Sequence, residues 1–221
     1  MLMGIRDILL ISNQRNLPMF QELLGNGEKF GIHLQYVTQE NPNGIAEALI
    51  IGEKFLEKSR CALILGDNLL YGPGLGRDLI NKVSQSGATI LAHHVQDPSE
   101  FGVVTFDEFD NPVDIVEKPK NSSSNWAIPG LYFYDSSAPE KAKMLKKSTR
   151  GELEISHLNK IYLAEGKLNV LKMSRGSAWL DMGNPKLLLE AGNFIQIVED
   201  RQGLEVGNPF QVAEVMGFKN S

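Results

Sequence analysis

The stretch Cys61-Ala-Leu-Ile-Leu-Gly66-Asp67-Asn68 constrains this chain most. An unbroken run of small and apolar residues leads into Gly66 and a carboxylate, with polar sequence on either side. Such a run predicts a strand buried on both faces, as parallel strands of α/β sheets are. An aspartate just past the carboxyl end of such a strand stands where open α/β sheets bind ligands. Asp67 is therefore a candidate metal or ribose ligand. Gly-Asp-Asn is equally turn chemistry, so a simple strand-to-loop cap stays open on this stretch alone.

The rest of the chain alternates strands with helices. Met1 to Gly4 reads as the last turn of a helix, stopped by Gly4. Ile8 to Ile11 is a buried-strand run, Leu17-Pro18 opens a helix through Leu24, and His33 to Thr38 is a second strand. A turn cluster from Gln39 to Gly44 precedes a helix from Ile45 to Phe55. Gly72-Pro-Gly-Leu-Gly76 lacks the spacing of a dinucleotide fingerprint, and Pro73 removes a donor that a phosphate would need. It is a loop ahead of a helix from Arg77 to Val83. Ala88 to Val95 is a strand ending in His93-His94, whose side chains point to opposite faces and do not share one metal.

From Phe101 the texture changes. Val103–Asp107 and Val113–Glu117 flank Asp110-Asn-Pro, which predicts a hairpin-like pair. Trp126 to Tyr134 is a strand interrupted by Pro129-Gly130, a bulge or backbone kept bare for a ligand. Glu140–Lys146 and Ile155–Ala164 are helical, and Leu168–Met173 is a strand. Ala178-Trp-Leu-Asp181-Met-Gly183 is a second apolar run ending in a carboxylate. Asn184-Pro185 caps a long helix carrying Leu188, Ala191, Ile195 and Val198 on one stripe, and Gly203 stops it.

This order predicts one domain over residues 1–221, with an open, mostly parallel, Rossmann-like α/β sheet. The net charge of −5 over 221 residues, with no basic stripe to offset it, argues against nucleic-acid binding. The single cysteine cannot staple the chain, and no apolar run is long enough to span a bilayer, so a cytoplasmic protein is expected. In a doubly wound sheet Asp67 and Asp181 can reach one crevice. Two carboxylates facing one point suit Mg²⁺, with substrate phosphates adding oxygens. Two unrelated turn caps would look the same in sequence.

Several stretches, in order along nearly the whole chain, resemble the sugar-phosphate nucleotidyltransferases of the glucose-1-phosphate thymidylyltransferase type. They include Gly4-Ile-Arg-Asp-Ile-Leu, Gln39 to Ala48, Leu65-Gly-Asp-Asn, Phe101-Gly-Val-Val and Glu117-Lys-Pro-Lys. Gly130-Leu-Tyr-Phe-Tyr-Asp, Arg150-Gly-Glu-Leu-Glu-Ile, Ala178-Trp-Leu-Asp-Met-Gly and Val198-Glu-Asp-Arg-Gln-Gly continue the match. The resemblance implies a nucleotide-diphospho-sugar transferase fold with a small β subregion for the sugar. It implies Mg²⁺-dependent transfer of a thymidylyl group from dTTP to glucose 1-phosphate, for deoxysugar and polysaccharide precursors. On it Asp67 and Asp181 match the Mg²⁺ ligands. Gln39 and Gly44 match the thymine-contacting stretch, Glu117 the carboxylate holding sugar hydroxyls, and Lys118 the lysine near the sugar phosphate. Gly102 and Gly130 match backbone bordering the sugar. Lys118, Asp67 and Asp181 are then the catalytic candidates. Glu117 and Lys118 are sequence neighbours, so both reach one ligand only where a strand is ending; a solvated ion pair is the bland alternative.

The family's first strand and its G-G-x-G-T-R-L loop have no counterpart here, and the chain stops soon after Met216-Gly-Phe218. A shortened member is expected, with a homo-oligomer if its ends permit. A non-catalytic remnant that binds sugar phosphate or docks on a full-length subunit, and a uridylyl-transferring relative, are the alternatives.

Overall fold

The computed structural model describes residues 1–73 and 75–218, at Arg77 the backbone alone; Gly74 of the glycine-rich loop thus lies outside the described residues. In chain order the elements are β1 (Asp7–Ser12), α1 (Leu17–Leu24), β2 (His33–Thr38), α2 (Glu47–Ile51) and α3 (Glu53–Leu56). Then come β3 (Cys61–Ile64), β4 (Asn68–Tyr71), α4 (Arg77–Lys82), β5 (Ala88–His94), β6 (Gly102–Phe106) and β7 (Pro112–Glu117). The rest are β8 (Trp126–Ala127), β9 (Leu131–Tyr134), α5 (Ala138–Lys143), α6 (Ile155–Ala164), β10 (Leu168–Lys172), β11 (Ala178–Asp181), α7 (Pro185–Gln202) and α8 (Pro209–Val215).

These elements form two compact units, each discontinuous in sequence. The first gathers residues 1–40, 66–81 and those from 176 onward. In it β1 and β2 pair in parallel from Asp7↔His33 to Ser12↔Thr38. β4 and β11 pair antiparallel, placing Asp181 opposite Asn68 and Trp179 opposite Leu70. The Asn184 side chain accepts from the Leu187 N–H at 3.0 Å and so caps α7. Gly203 ends that helix at φ +68°. Of the expected stripe, Ala191 is buried, while Leu188 is 57% exposed. Phe194, one turn on, packs edge-on against Tyr71 instead.

The second unit gathers residues 41–65 and 82–175. Its sheet runs β3-β9-β5-β8-β6-β7, with β10 beside β5. The first five residues of β5 are all buried, as a continuous apolar run demands. Ile90, Val104, Ile115, Tyr134, Leu158 and Tyr162 are at the centre of the core. There the Tyr134 hydroxyl donates to Asn159 Oδ1 at 2.7 Å and the Tyr162 hydroxyl to Asp135 Oδ1 at 2.9 Å, so the phenols are buried with partners.

The α/β class holds, and the directions of pairing add detail to it. β1·β2 and β5·β10 are parallel, and the other ladders are antiparallel. Alternation of strand and helix dictates parallel neighbours only where consecutive strands lie side by side. Here β3 and β4 enter different units, and β3 pairs instead with the distant β9. β3 is therefore an antiparallel end strand rather than a fully buried parallel one, and Ile64 is 56% exposed. Of the shorter stretches, one helix comes out broken and one strand is interrupted where the sequence predicts. Met1 to Gly4 is a single turn, closed by the Gly4 N–H on the Met1 carbonyl. The helix expected through Phe55 divides at Gly52. The strand from Trp126 to Tyr134 is interrupted at Ile128–Gly130, as Pro129-Gly130 predicts, since Pro129 supplies no donor to a ladder.

Candidate active site

In the first unit the two aspartates sit on neighbouring strands. Asp67 immediately precedes β4, and Asp181 is the last residue of β11, opposite Asn68. The Met182 N–H donates to the Asp67 carbonyl at 2.7 Å, extending the ladder past both carboxylates. Each carboxylate commits one oxygen. Asn68 Nδ2 donates to Asp67 Oδ1 at 2.9 Å, and the Gly183 N–H donates to Asp181 Oδ1 at 2.9 Å. Among the described residues no hydrogen bond reaches Oδ2 of either aspartate, and neither forms an ion pair. A Cβ at Gly183 would come within 3.1 Å of Asp181 Oδ1 and 3.6 Å of Asp67 Oδ2. The bare glycine therefore borders both carboxylates at once. Gln39 belongs to this unit too, its N–H donating to the Ser12 carbonyl at 2.8 Å just beyond the β1–β2 ladder.

Among the described residues no three His, Cys, Asp or Glu side chains converge as a ready-made metal cage. Two carboxylates with one uncommitted oxygen each are what Mg²⁺ takes from a protein when substrate phosphates and water complete an octahedron. The donor set fits that ion. The lone thiol, Cys61, is pushed up to about 11 by burial and, secondarily, by Asp135, so it offers no nucleophile.

In the second unit a carboxylate cluster forms where β7 ends. Glu117 is the last residue of β7, opposite Gly102 of β6. Lys118 follows at φ +41°, a left-handed conformation rare for a side chain, with its N–H donating to the Phe101 carbonyl at 3.0 Å. The backbone turns sharply between two neighbours that a continued strand would have sent to opposite faces. The Lys118 ammonium lies near enough to Glu117 to lower its pKa, and its Nζ is 3.8 Å from Glu100 Oε2. A Cβ at Gly102 would meet Glu117 Oε2 at 3.4 Å, so this glycine leaves the carboxylate its room.

Arg150 and Glu154 complete the cluster. Arg150 Nη1 is 3.8 Å from Glu117 Oε1 and 3.7 Å from Glu154 Oε1, and its Nη2 donates to Glu152 at 3.2 Å. Glu154 is 5% exposed and accepts from the Ser148 hydroxyl at 2.7 Å. Burial raises the Glu117 pKa, Ser156 opposes that, Glu154 raises it further, and the Arg150 and Lys118 cations pull it down. Gly130 lies at the break before β9, its carbonyl accepting from the Leu65 N–H at 2.9 Å.

Gly44, at φ +106°, has a packing reason of its own. A Cβ there would lie 2.5 Å from the Leu153 carbonyl oxygen, so only glycine fits. Arg150, Glu154, Asn68, Trp179 and Gly183 carry no role in the sequence reading. Arg150-Gly-Glu-Leu-Glu was legible as a motif, but the burial of the second glutamate is a tertiary fact.

The chain matches the family model described as nucleotidyl transferase over residues 1–197. It is 47% identical over 215 residues to the glucose-1-phosphate thymidylyltransferase of Mycolicibacterium smegmatis, spanning 97% of this chain and 75% of that protein. Against the enzyme of the same name from Mycobacterium tuberculosis H37Rv it is 46% identical over 218 residues, 99% of this chain and 76% of the relative. The crystal structure of a Bacillus anthracis protein described as a glucose-1-phosphate thymidylyltransferase, in complex with a sucrose, superposes with a TM-score of 0.82. That match has 34% identity and covers 95% of this chain and 81% of the other. A UDP-glucose pyrophosphorylase complexed with UDP-glucose shares the fold, with a TM-score of 0.75 at 18% identity over 89% of this chain and 83% of its own.

Proposed function

Since the chain belongs to the nucleotidyl transferase family, we propose that it transfers a thymidylyl group from dTTP to glucose 1-phosphate. A phosphate oxygen of the sugar phosphate attacks the α-phosphorus of dTTP as the bond from that phosphorus to the bridging oxygen breaks. The products are dTDP-glucose and pyrophosphate. The reading rests on one observation: Asp67 and Asp181 present uncommitted oxygens from paired strands, in a chain whose quoted relatives bear the name thymidylyltransferase.

Asp67 and Asp181 would hold Mg²⁺, which supplies neutralisation of charge on the reacting phosphates. The protein's own share is positioning. Glu117 accepts hydrogen bonds from sugar hydroxyls, and its burial makes each such bond to a charged acceptor count for more. Lys118 faces the sugar phosphate. Gly102 and Gly130 keep backbone bare beside the sugar, and the stretch from Gln39 to Gly44 reads the thymine. Transfer of this kind is catalysed mainly by orientation and charge.

The test is Mg²⁺-dependent pyrophosphate release by this chain from dTTP and glucose 1-phosphate. Release that falls by about 10²-fold or more in D67N and in D181N is the expected result. Turnover left undiminished by both substitutions, or no release from folded chain, overturns the reading.

A further inference from the structure

Asp67 is tied into a chain of hydrogen bonds whose polarity can be worked out atom by atom. Trp179 Nε1 donates to Asn68 Oδ1 at 2.7 Å, and Asn68 Nδ2 donates to Asp67 Oδ1 at 2.9 Å. An indole N–H can only donate, so the amide atom it meets must be the oxygen. The amide then has one possible orientation, with its NH₂ toward the aspartate. A flipped amide would set nitrogen against indole N–H and oxygen against carboxylate, two repulsions in place of two bonds. The β4–β11 register fixes both ends of this chain. Trp179 lies opposite Leu70, two residues from the Asn68↔Asp181 pair on both strands.

We propose that Trp179 and Asn68 act in series as positioning residues, locking the Asp67 carboxylate so that Oδ2 is turned toward a divalent cation shared with Asp181. The proposal rests on the metal role given to Asp67 above. Asp67 is exposed, so burial does not fix its carboxylate, and the relay orients it instead. Asp181 obtains the same result from its own loop, through the Gly183 N–H. Each aspartate thus spends Oδ1 on orientation. Outer partners of this kind typically change metal affinity about 10- to 100-fold when removed.

The experiment is Mn²⁺ binding to the full chain, followed by electron paramagnetic resonance of the free ion without nucleotide or sugar. Wild type and D67N are compared first. Binding that D67N does not weaken means the metal reading of Asp67 is wrong, and the relay proposal falls with it. Given D67N-sensitive binding, N68A is expected to lose about 10-fold or more in Mn²⁺ affinity. W179F keeps a ring and removes only the N–H, and should lose less, in the same direction. The double variant should bind no more weakly than N68A, because the indole acts only through the amide. Metal-free melting temperatures keep the comparison to folded protein, and W179F supplies the test if N68A does not fold. Unchanged affinity in the folded single variants, or full additivity in the double variant, overturns the proposal.

Discussion

The two carboxylate clusters solve opposite electrostatic problems. Asp67 and Asp181 stand side by side with no cationic side chain paired to either among the described residues. Glu117 has a buried acidic neighbour as well, but it is given Arg150 and Lys118 as company. A pair of acids left uncompensated near solvent waits for a cation from outside. A half-buried acid already flanked by protein cations needs no further cation, and can take hydroxyl donors from a ligand instead. On the proposed function these are the needs of a metal and of a sugar.

Removing one charge from each cluster separates the two cases most sharply. D67N should lower pyrophosphate release by about 10²- to 10³-fold, the usual cost of losing a group that stabilises transition-state charge. Its melting temperature should not fall, since one of two facing like charges is gone. A large loss of stability in D67N would break the comparison, for it would mean the pair is already compensated.

E117Q should weaken glucose 1-phosphate binding by about 10- to 100-fold, as loss of hydrogen bonds to a charged group of roughly 1.5–3 kcal/mol implies. Calorimetric titration with the sugar phosphate measures this. Its stability should move the other way. The folded-state pKa of Glu117 is raised, first by burial. An acid with a raised folded pKa contributes stability that is complete below its unfolded value and is lost as pH rises through the folded value. Ionised Glu117 therefore burdens the neutral protein, and E117Q should melt at or above wild type near pH 7. That advantage should vanish below the ordinary carboxylate range.

The same shift predicts that sugar-phosphate affinity falls, on acidification, at a higher pH than an unperturbed glutamate would give. R150Q should move that fall higher still, because the Arg150 cation holds the Glu117 pKa down. Titrations across pH on wild type and R150Q check both. The smallest effect is expected from G183A. Its new methyl would press on Asp181 Oδ1 at 3.1 Å, so the Mg²⁺ concentration needed for half-maximal release should rise a few-fold, on the order of the weaker outer-shell effects.

Parts of this were legible in the sequence for definite reasons. Asp67 and Asp181 each end an apolar run, and a run that ends in a carboxylate advertises itself. The β6–β7 hairpin was equally plain, because Asp110-Asn-Pro can only reverse the chain. The partner of β3 was not, since an apolar run states a wish for burial and names no neighbour. The sharp turn after Glu117 depends on φ +41° at Lys118, which no propensity predicts and only the surrounding contacts enforce. At Gly44 the decisive atom belongs to Leu153, far along the chain, so a reading confined to the local motif could credit the glycine only to a ligand.

The interleaving of the two units carries a consequence for synthesis. Residues 41–65 and 82–175 leave the ribosome before β11 exists, and they contain the whole of the Glu117 cluster. Asp67 emerges early, yet Asp181 and the indole of Trp179 arrive only after the second unit has been made. During elongation the second unit can therefore close first, as units generally fold in the order they are made. The nascent chain completes its balanced glutamate site while half of the aspartate pair, with the tryptophan that steers its first member, has yet to be translated.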